Sequence, residues 1–180
     1  MAAKERPLEL HFRPLSADEA HTILSWRYPP PYELYNADPD DEEARAVAAF
    51  LDPANAYYAI LDGREGLAGY CCYGPDARVP GGDYRGEALD IGLGMRPDLT
   101  GQGYGRDFVG AVVRFGEALY RAAVLRVTIA ELNVRAQNVW VRAGFGPAQR
   151  FARADDGLAF VVLTRLSSSQ TQMSLASLKE

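Results

Sequence analysis

The chain has 180 residues, 48% hydrophobic and 24% charged, which suits one domain with a full core. Its net charge of −5 and pI near 5.1 exclude a dedicated nucleic-acid binder and tilt recognition toward cationic partners, amines among them. With only His11 and His21 present, a His-rich metal centre or a Ser-His-Asp triad is untenable, and no metal is expected.

No apolar run approaches the ~18 residues of a membrane span, and the first ten residues lack the apolar stretch of a signal peptide. A cytoplasmic chain that avoids membranes is therefore expected. Cys71 and Cys72 point to opposite faces of one strand and read as reduced core thiols.

In chain order, Leu8 to Leu15 alternates apolar and polar residues and predicts a strand. Ser16 or Asp18 can cap a helix through Trp26, which the run Pro29-Pro30-Pro31 must interrupt. Helical spacing returns from Glu42 to Leu51. Two strands, Tyr57 to Leu61 and Leu67 to Tyr73, flank a turn at residues 62–66. Residues 81–86 read as an exposed loop, and Glu87 to Met95 as the central strand.

Directly after that strand, Gly101, Gly103 and Gly105 occupy alternate positions ahead of an amphipathic helix from about Arg106 to Arg121. Glycines let backbone N–H groups turn toward a ligand, and the helix start adds unpaired donors and the positive end of its dipole. Strand, glycine loop and helix together predict a pyrophosphate cradle. It is not a Walker loop, since no Gly-Lys-Ser/Thr follows, and it lacks the third glycine of the dinucleotide fingerprint.

A strand from Leu125 to Leu132 follows, then a helix from Arg135 to Ala143 stopped by Gly144. Two closing strands fall near Ala148 to Arg153 and Leu158 to Leu166, and these could pair across a homodimer. The predicted order is β-α-α-β-β-β-α-β-α-β-β. It forms a mixed α/β domain over residues 1–166, with a polar tail at 167–180 expected to fray.

The segment Met95 to Gly105 resembles the acetyl-CoA-binding motif of the GNAT N-acetyltransferase superfamily, Q/R-x-x-G-x-G/A. Gly103 and Gly105 fall on its glycines, while Thr100 departs from its Q/R position. Asn133 to Phe145 resembles the family's N-x-x-A-x-x-x-Y-x-x-x-G-F through Asn133, Ala136, Gly144 and Phe145. Trp140 stands where many relatives carry the tyrosine that protonates the leaving thiolate. An indole N–H has no such proton to give, so Trp140 reads as core packing. Trp26 to Asn36 also resembles a GNAT subset with W-R-Y-x-P-P-Y-x-x-Y, so the similarity spans about residues 8–166.

The resemblance implies the GNAT fold: a central mixed sheet flanked by helices. It also implies transfer of an acetyl group from acetyl-CoA to a primary amine of a small molecule, protein or peptide, by direct attack in a ternary complex. The alternative is a GNAT-fold module that binds acetyl-CoA as a sensor or partner domain without efficient transfer. Expected cofactor contacts are Leu93, Met95, Gly101, Gly103, Tyr104, Gly105, Arg106 and Asn133, with Arg135 ambiguous. Tyr28, Tyr32 and Tyr35 are expected to wall the acceptor. Family bases often lie on the face shared by Leu89 and Ile91, which are apolar here. Asp90 and, behind it, Glu87 are the carboxylates available on the central strand to take the amine proton. Tyr70, Tyr73, Tyr104 or solvent remain open as the acid.

Overall fold

The computed structural model describes residues 8–37, 43–63 and 66–171. The alternating N-terminal segment forms strand β1 (Leu10–Pro14), and Ser16 then starts helix α1 (Ala17–Leu24) through a capping box. The Ser16 Oγ accepts from Glu19 N, while a Glu19 carboxylate oxygen accepts from Ser16 N at 3.0 Å. Arg13 pairs with the same carboxylate at 2.8 Å, tying strand to helix.

Beyond the proline segment come α2 (Glu43–Leu51), then β2 (Tyr57–Asp62) and β3 (Leu67–Cys72) as an antiparallel hairpin. The central strand β4 (Leu89–Met95) begins two residues later than expected, which leaves Glu87 exposed outside it. Helix α3 (Gly105–Tyr120), β5 (Val124–Ala130), α4 (Val134–Arg142), β6 (Gly146–Ala152) and β7 (Ala159–Leu166) complete the chain.

The seven strands form one mixed sheet in the order β1-β2-β3-β4-β5-β7-β6, in which only β4 and β5 are parallel. A parallel pair needs a crossover, and α3 supplies it. The main core lies on the α3/α4 face, where Ile91, Phe108, Val112, Leu125 and Trp140 are buried. Trp140 meets Phe145 edge-on at 4.9 Å, the packing expected of it. A smaller core of Ala20, Ile23, Trp26 and Ala59 lies under α1 and α2. Among the described residues no helix is long and apolar enough to cross a membrane.

The tail expected to fray begins tied down. Ser167 is buried and its N–H donates to Ala123 O at 2.9 Å, while residues 172–180 lie outside the described residues. The 81–86 loop is anchored as well. The Tyr84 hydroxyl accepts from Val79 N and pairs with Thr128 Oγ1, both at 2.9 Å, and the Arg78 and Arg126 guanidinium groups stand over its ring.

These two arginines converge on Asp90. Arg126 donates Nε and Nη2 to its two carboxylate oxygens at 2.5 and 2.9 Å, and Arg78 Nε adds a contact at 2.7 Å. Asp90 and Arg126 are buried and face each other across the β4–β5 ladder. Removing one partner of such a pair leaves an uncompensated buried charge. Asp90→Asn should therefore cost about 3–5 kcal/mol of stability, read as a lower denaturant midpoint with an unchanged slope. A midpoint equal to that of the native protein would show that the pair does not hold the sheet.

Candidate active site

The strand pairing itself opens the site. The last β4–β5 pair is Ile91 with Val127, yet β4 runs on to Met95 and β5 to Ala130, so the two strands part there. Gly92 to Met95 stays paired with β3 on the other side. Arg96 N donates to Ala68 O at 2.8 Å, which sets the alternation: even-numbered backbone groups of β4 face β3 and odd-numbered ones face β5. From Leu93 onward, the odd-numbered N–H and C=O groups face the gap. The Leu93 and Met95 side chains pack against the main core, so what they offer the gap is backbone.

The glycine segment lies just beyond. A turn at Pro97–Leu99, closed by the Thr100 hydroxyl on Pro97 O at 2.7 Å, leads into Gly101 and Gly103. Their φ values of +76° and +87° are left-handed and suit glycine. A Cβ on Gly103 would meet nothing within 4 Å, so the loop stands open there. Gly105 opens α3 and packs on α4, where a Cβ would come 3.1 Å from Val139. Tyr104 holds the N-cap position of α3 without a side-chain cap hydrogen bond, whereas Ser16 and Asn133 cap α1 and α4. Among the described residues, no backbone carbonyl accepts from the N–H groups of residues 101–106. The Tyr104 ring packs against the core and Arg106 is exposed on the first turn of α3. The arrangement is a run of backbone donors without backbone acceptors at the positive end of a sixteen-residue helix, which is chemistry for an anion.

The three tyrosines of the proline segment lie across the gap. The Tyr28 hydroxyl donates to Met95 O at 2.7 Å, which fills one of the gap-facing carbonyls. Tyr35 meets Tyr28 edge-on at 6.3 Å, and its hydroxyl accepts from Asn133 Nδ2 at 3.1 Å at the far side. The Tyr32 ring lies under Arg135, 4.1 Å from centroid to guanidinium carbon. Burial, with the neighbouring Tyr35, pushes the Tyr28 phenol up to about 12. Tyr35 is raised by burial too, though the hydrogen bond from Asn133 partly offsets this. Both phenols thus keep their protons at neutral pH.

Asp90 lies away from this apparatus, held on both carboxylate oxygens by Arg126 and on one by Arg78. A carboxylate so engaged is poorly placed to accept an amine proton, and the geometry gives it a structural part instead. Its face of β4 otherwise carries only Gly92 and Gly94, where a Cβ would collide with Cys72 Sγ and the Tyr70 ring. The opposite face, with Leu89 and Ile91, packs into the main core. Asn133 is engaged by the chain itself: its Oδ1 accepts from Ala136 N at 3.1 Å as the N-cap of α4, and its Nδ2 donates to Tyr35. An Asn three residues ahead of a helical alanine is itself a capping signal. Arg126, inside the apolar strand run Val124–Ala130, was the sequence's hint that Asp90 had a buried partner. The Tyr28–Met95 contact spans 67 residues and had no local signal.

The fold agrees with known proteins. No curated protein sequence matches the chain. Among solved structures, a chimera of the Vibrio cholerae spermidine N-acetyltransferase SpeG and hSSAT superposes with a TM-score of 0.70 at 14% identity, covering 90% of this chain and 98% of that one. A GNAT-family acetyltransferase from Bacillus anthracis gives 0.66 at 13% identity, covering 88% and 95%. The dodecameric spermidine N-acetyltransferase from Vibrio cholerae gives 0.63 at 16% identity, covering 92% and 98%. The family described as Acetyltransferase (GNAT) domain matches residues 9–146, and this chain belongs to it.

Proposed function

We propose that the protein transfers the acetyl group of acetyl-CoA to the primary amine of a small molecule. The observation that carries the reading is the open β4–β5 gap leading directly into the uncapped glycine cradle. Acetyl-CoA supplies the acetyl thioester and a pyrophosphate. The cradle fits it on two counts: Gly103 leaves free the space a side chain would fill, and the N–H groups of residues 101–106 have no backbone carbonyl as acceptor. Gly101, Gly103, Tyr104 and Gly105 would hold the pyrophosphate through backbone, with Arg106 beside them.

The gap-facing N–H groups of Leu93 and Met95 are donors placed for a carbonyl oxygen that gains negative charge during attack. The amine nitrogen forms the new C–N bond, the C–S bond breaks, and the amine proton leaves to water. No carboxylate of β4 is released to take it, since Asp90 stays with its arginines. Glu87, exposed ahead of the strand, is too peripheral for the role on this reading.

For the acceptor, the wall formed by Tyr28, Tyr32 and Tyr35 offers ring faces and hydroxyls suited to an ammonium or amine. The spermidine acetyltransferases among the structural neighbours and the net charge of −5 support a cationic small molecule. We further infer a cytoplasmic protein. A homodimer through the terminal strands is supported by β6 lying at the sheet edge.

Gly103→Val tests the cradle. The fold should tolerate the side chain apart from backbone strain at φ +87°, while acetyl-CoA affinity falls at least tenfold by calorimetry. Unchanged affinity in the folded variant would remove acetyl-CoA from this loop. Gly105→Val is the poorer test, because it also strains the contact with Val139.

An amine panel spanning polyamines, aminoglycosides and peptide N-termini, read as CoA release, should single out a small amine. Acetyl-CoA binding without turnover on any member would instead mark a sensing module. With the best amine, kcat/KM should climb with pH toward the acceptor's own pKa, without a break near neutrality. Tyr28 stays protonated up to about 12, and Asp90 stays paired. A plateau set by a group of pKa 6–8 would reveal a protein base.

A further inference from the structure

A cation in the first turn of a helix sits against the positive end of the dipole and costs stability unless an anion is close. Arg135 occupies the second position of α4 and is exposed. Among the described residues no carboxylate pairs with it. Its guanidinium instead has two neighbours that belong to different halves of the site. One is Tyr32, whose ring centroid lies 4.1 Å from the guanidinium carbon. The other is the glycine loop, since a Cβ on Gly101 would stand 3.4 Å from Arg135 Nη1.

Stacking on a ring engages the face of a guanidinium and leaves its N–H edge donors free. With Tyr32 against the guanidinium, Nη1 stands beside Gly101 at the glycine loop. On the acetyl-CoA reading given above, we propose that Arg135 donates to the pyrophosphate and, through Tyr32, couples cofactor binding to the tyrosine segment over the gap. The anion supplies the charge that the helix position lacks, and the guanidinium it fixes becomes a rigid seat for Tyr32.

Tyr32 is continuous with Tyr28, which bonds Met95 O, and with Tyr35, which bonds Asn133 Nδ2. Seating it therefore steadies both contacts that flank the acceptor's approach. The acceptor wall is then steadier when the cofactor is bound, so acetyl-CoA strengthens the tyrosine segment's hold on its contacts. Coupling of this kind is reciprocal, and loosening Tyr32 must also weaken the cofactor.

Calorimetry compares acetyl-CoA with S-acetylpantetheine, which has the thioester but no phosphate, on native protein, Arg135→Gln and Tyr32→Leu. Arg135→Gln should weaken acetyl-CoA roughly tenfold or more, the more so at low salt, and leave S-acetylpantetheine unchanged. Tyr32→Leu should weaken acetyl-CoA by a smaller factor, about threefold. Hydrogen exchange over residues 28–36 supplies a second readout: saturating acetyl-CoA should slow it in the native protein but not in either variant. Equal acetyl-CoA affinity in native protein and Arg135→Gln would overturn the phosphate contact. Equal slowing in native protein and variants would overturn the coupling. If the native protein bound neither thioester, the acetyl-CoA reading itself would fall, and this inference with it.

Discussion

Everything functional in this molecule depends on where β4 stops pairing with β5. A parallel pair normally shares its ladder to the strand ends, and parting after Ile91–Val127 leaves backbone groups that must find other partners. The pair Asp90–Arg126 lies one rung before the parting. Two buried charges recover their desolvation cost only with good geometry, and here the fork-on-carboxylate contact is supplemented by Arg78. It also pins register: a one-residue slip would send Asp90 and Arg126 to opposite faces of the sheet. The chain uses a buried carboxylate to hold the rung just before the last closed one, and the open rungs follow.

The open rungs are then dressed differently on the two sides of the sheet. On the α3/α4 side, Leu93 and Met95 anchor the strand in the core, so its backbone can stay exposed to the gap without loosening. On the other side, Gly92 and Gly94 keep the strand bare, and Tyr70 and Cys72 from β3 lean across it. A side chain on either glycine would displace them. Bare backbone flanked by borrowed aromatic surface is what allows the tyrosine segment to lie close enough for Tyr28 to reach Met95 O.

Much of this was legible in the sequence because it is local. Periodicity gave every helix and strand in order, with ends shifted by a few residues, and the alternating glycines announced a loop whose φ values are indeed left-handed at Gly101 and Gly103. The same reading offers Asp90 as a base and Asn133 as a ligand contact, and the partners the structure gives them were not legible in it for one reason. A side chain's role is set by what stands opposite it, and the partners here lie 36 and 98 residues away, at Arg126 and Tyr35. The capping role of Asn133 was legible on helix-start rules, but the family motif drew attention to the ligand instead. Arg135 was ambiguous in sequence because its two neighbours come from two other segments of the chain.

The placement of protons gives the site its chemical character. Burial raises Tyr28, Tyr35 and Tyr70 together, so around the gap the titratable groups are donors that hold their protons at neutral pH. Asp90, the buried carboxylate on β4, has both oxygens occupied by guanidinium groups. A site built this way can stabilise negative charge, first on a carbonyl oxygen and then on a departing sulfur, better than it can accept a proton. An amine that reaches it as a free base needs only the first of these services. With Trp140 buried against Phe145 and no hydroxyl at that position, the proposed reaction would draw the proton for a leaving thiolate from another tyrosine or from water. The segment across the gap therefore sets two phenolic hydroxyls beside the backbone donors of β4, one on Met95 O and one on Asn133.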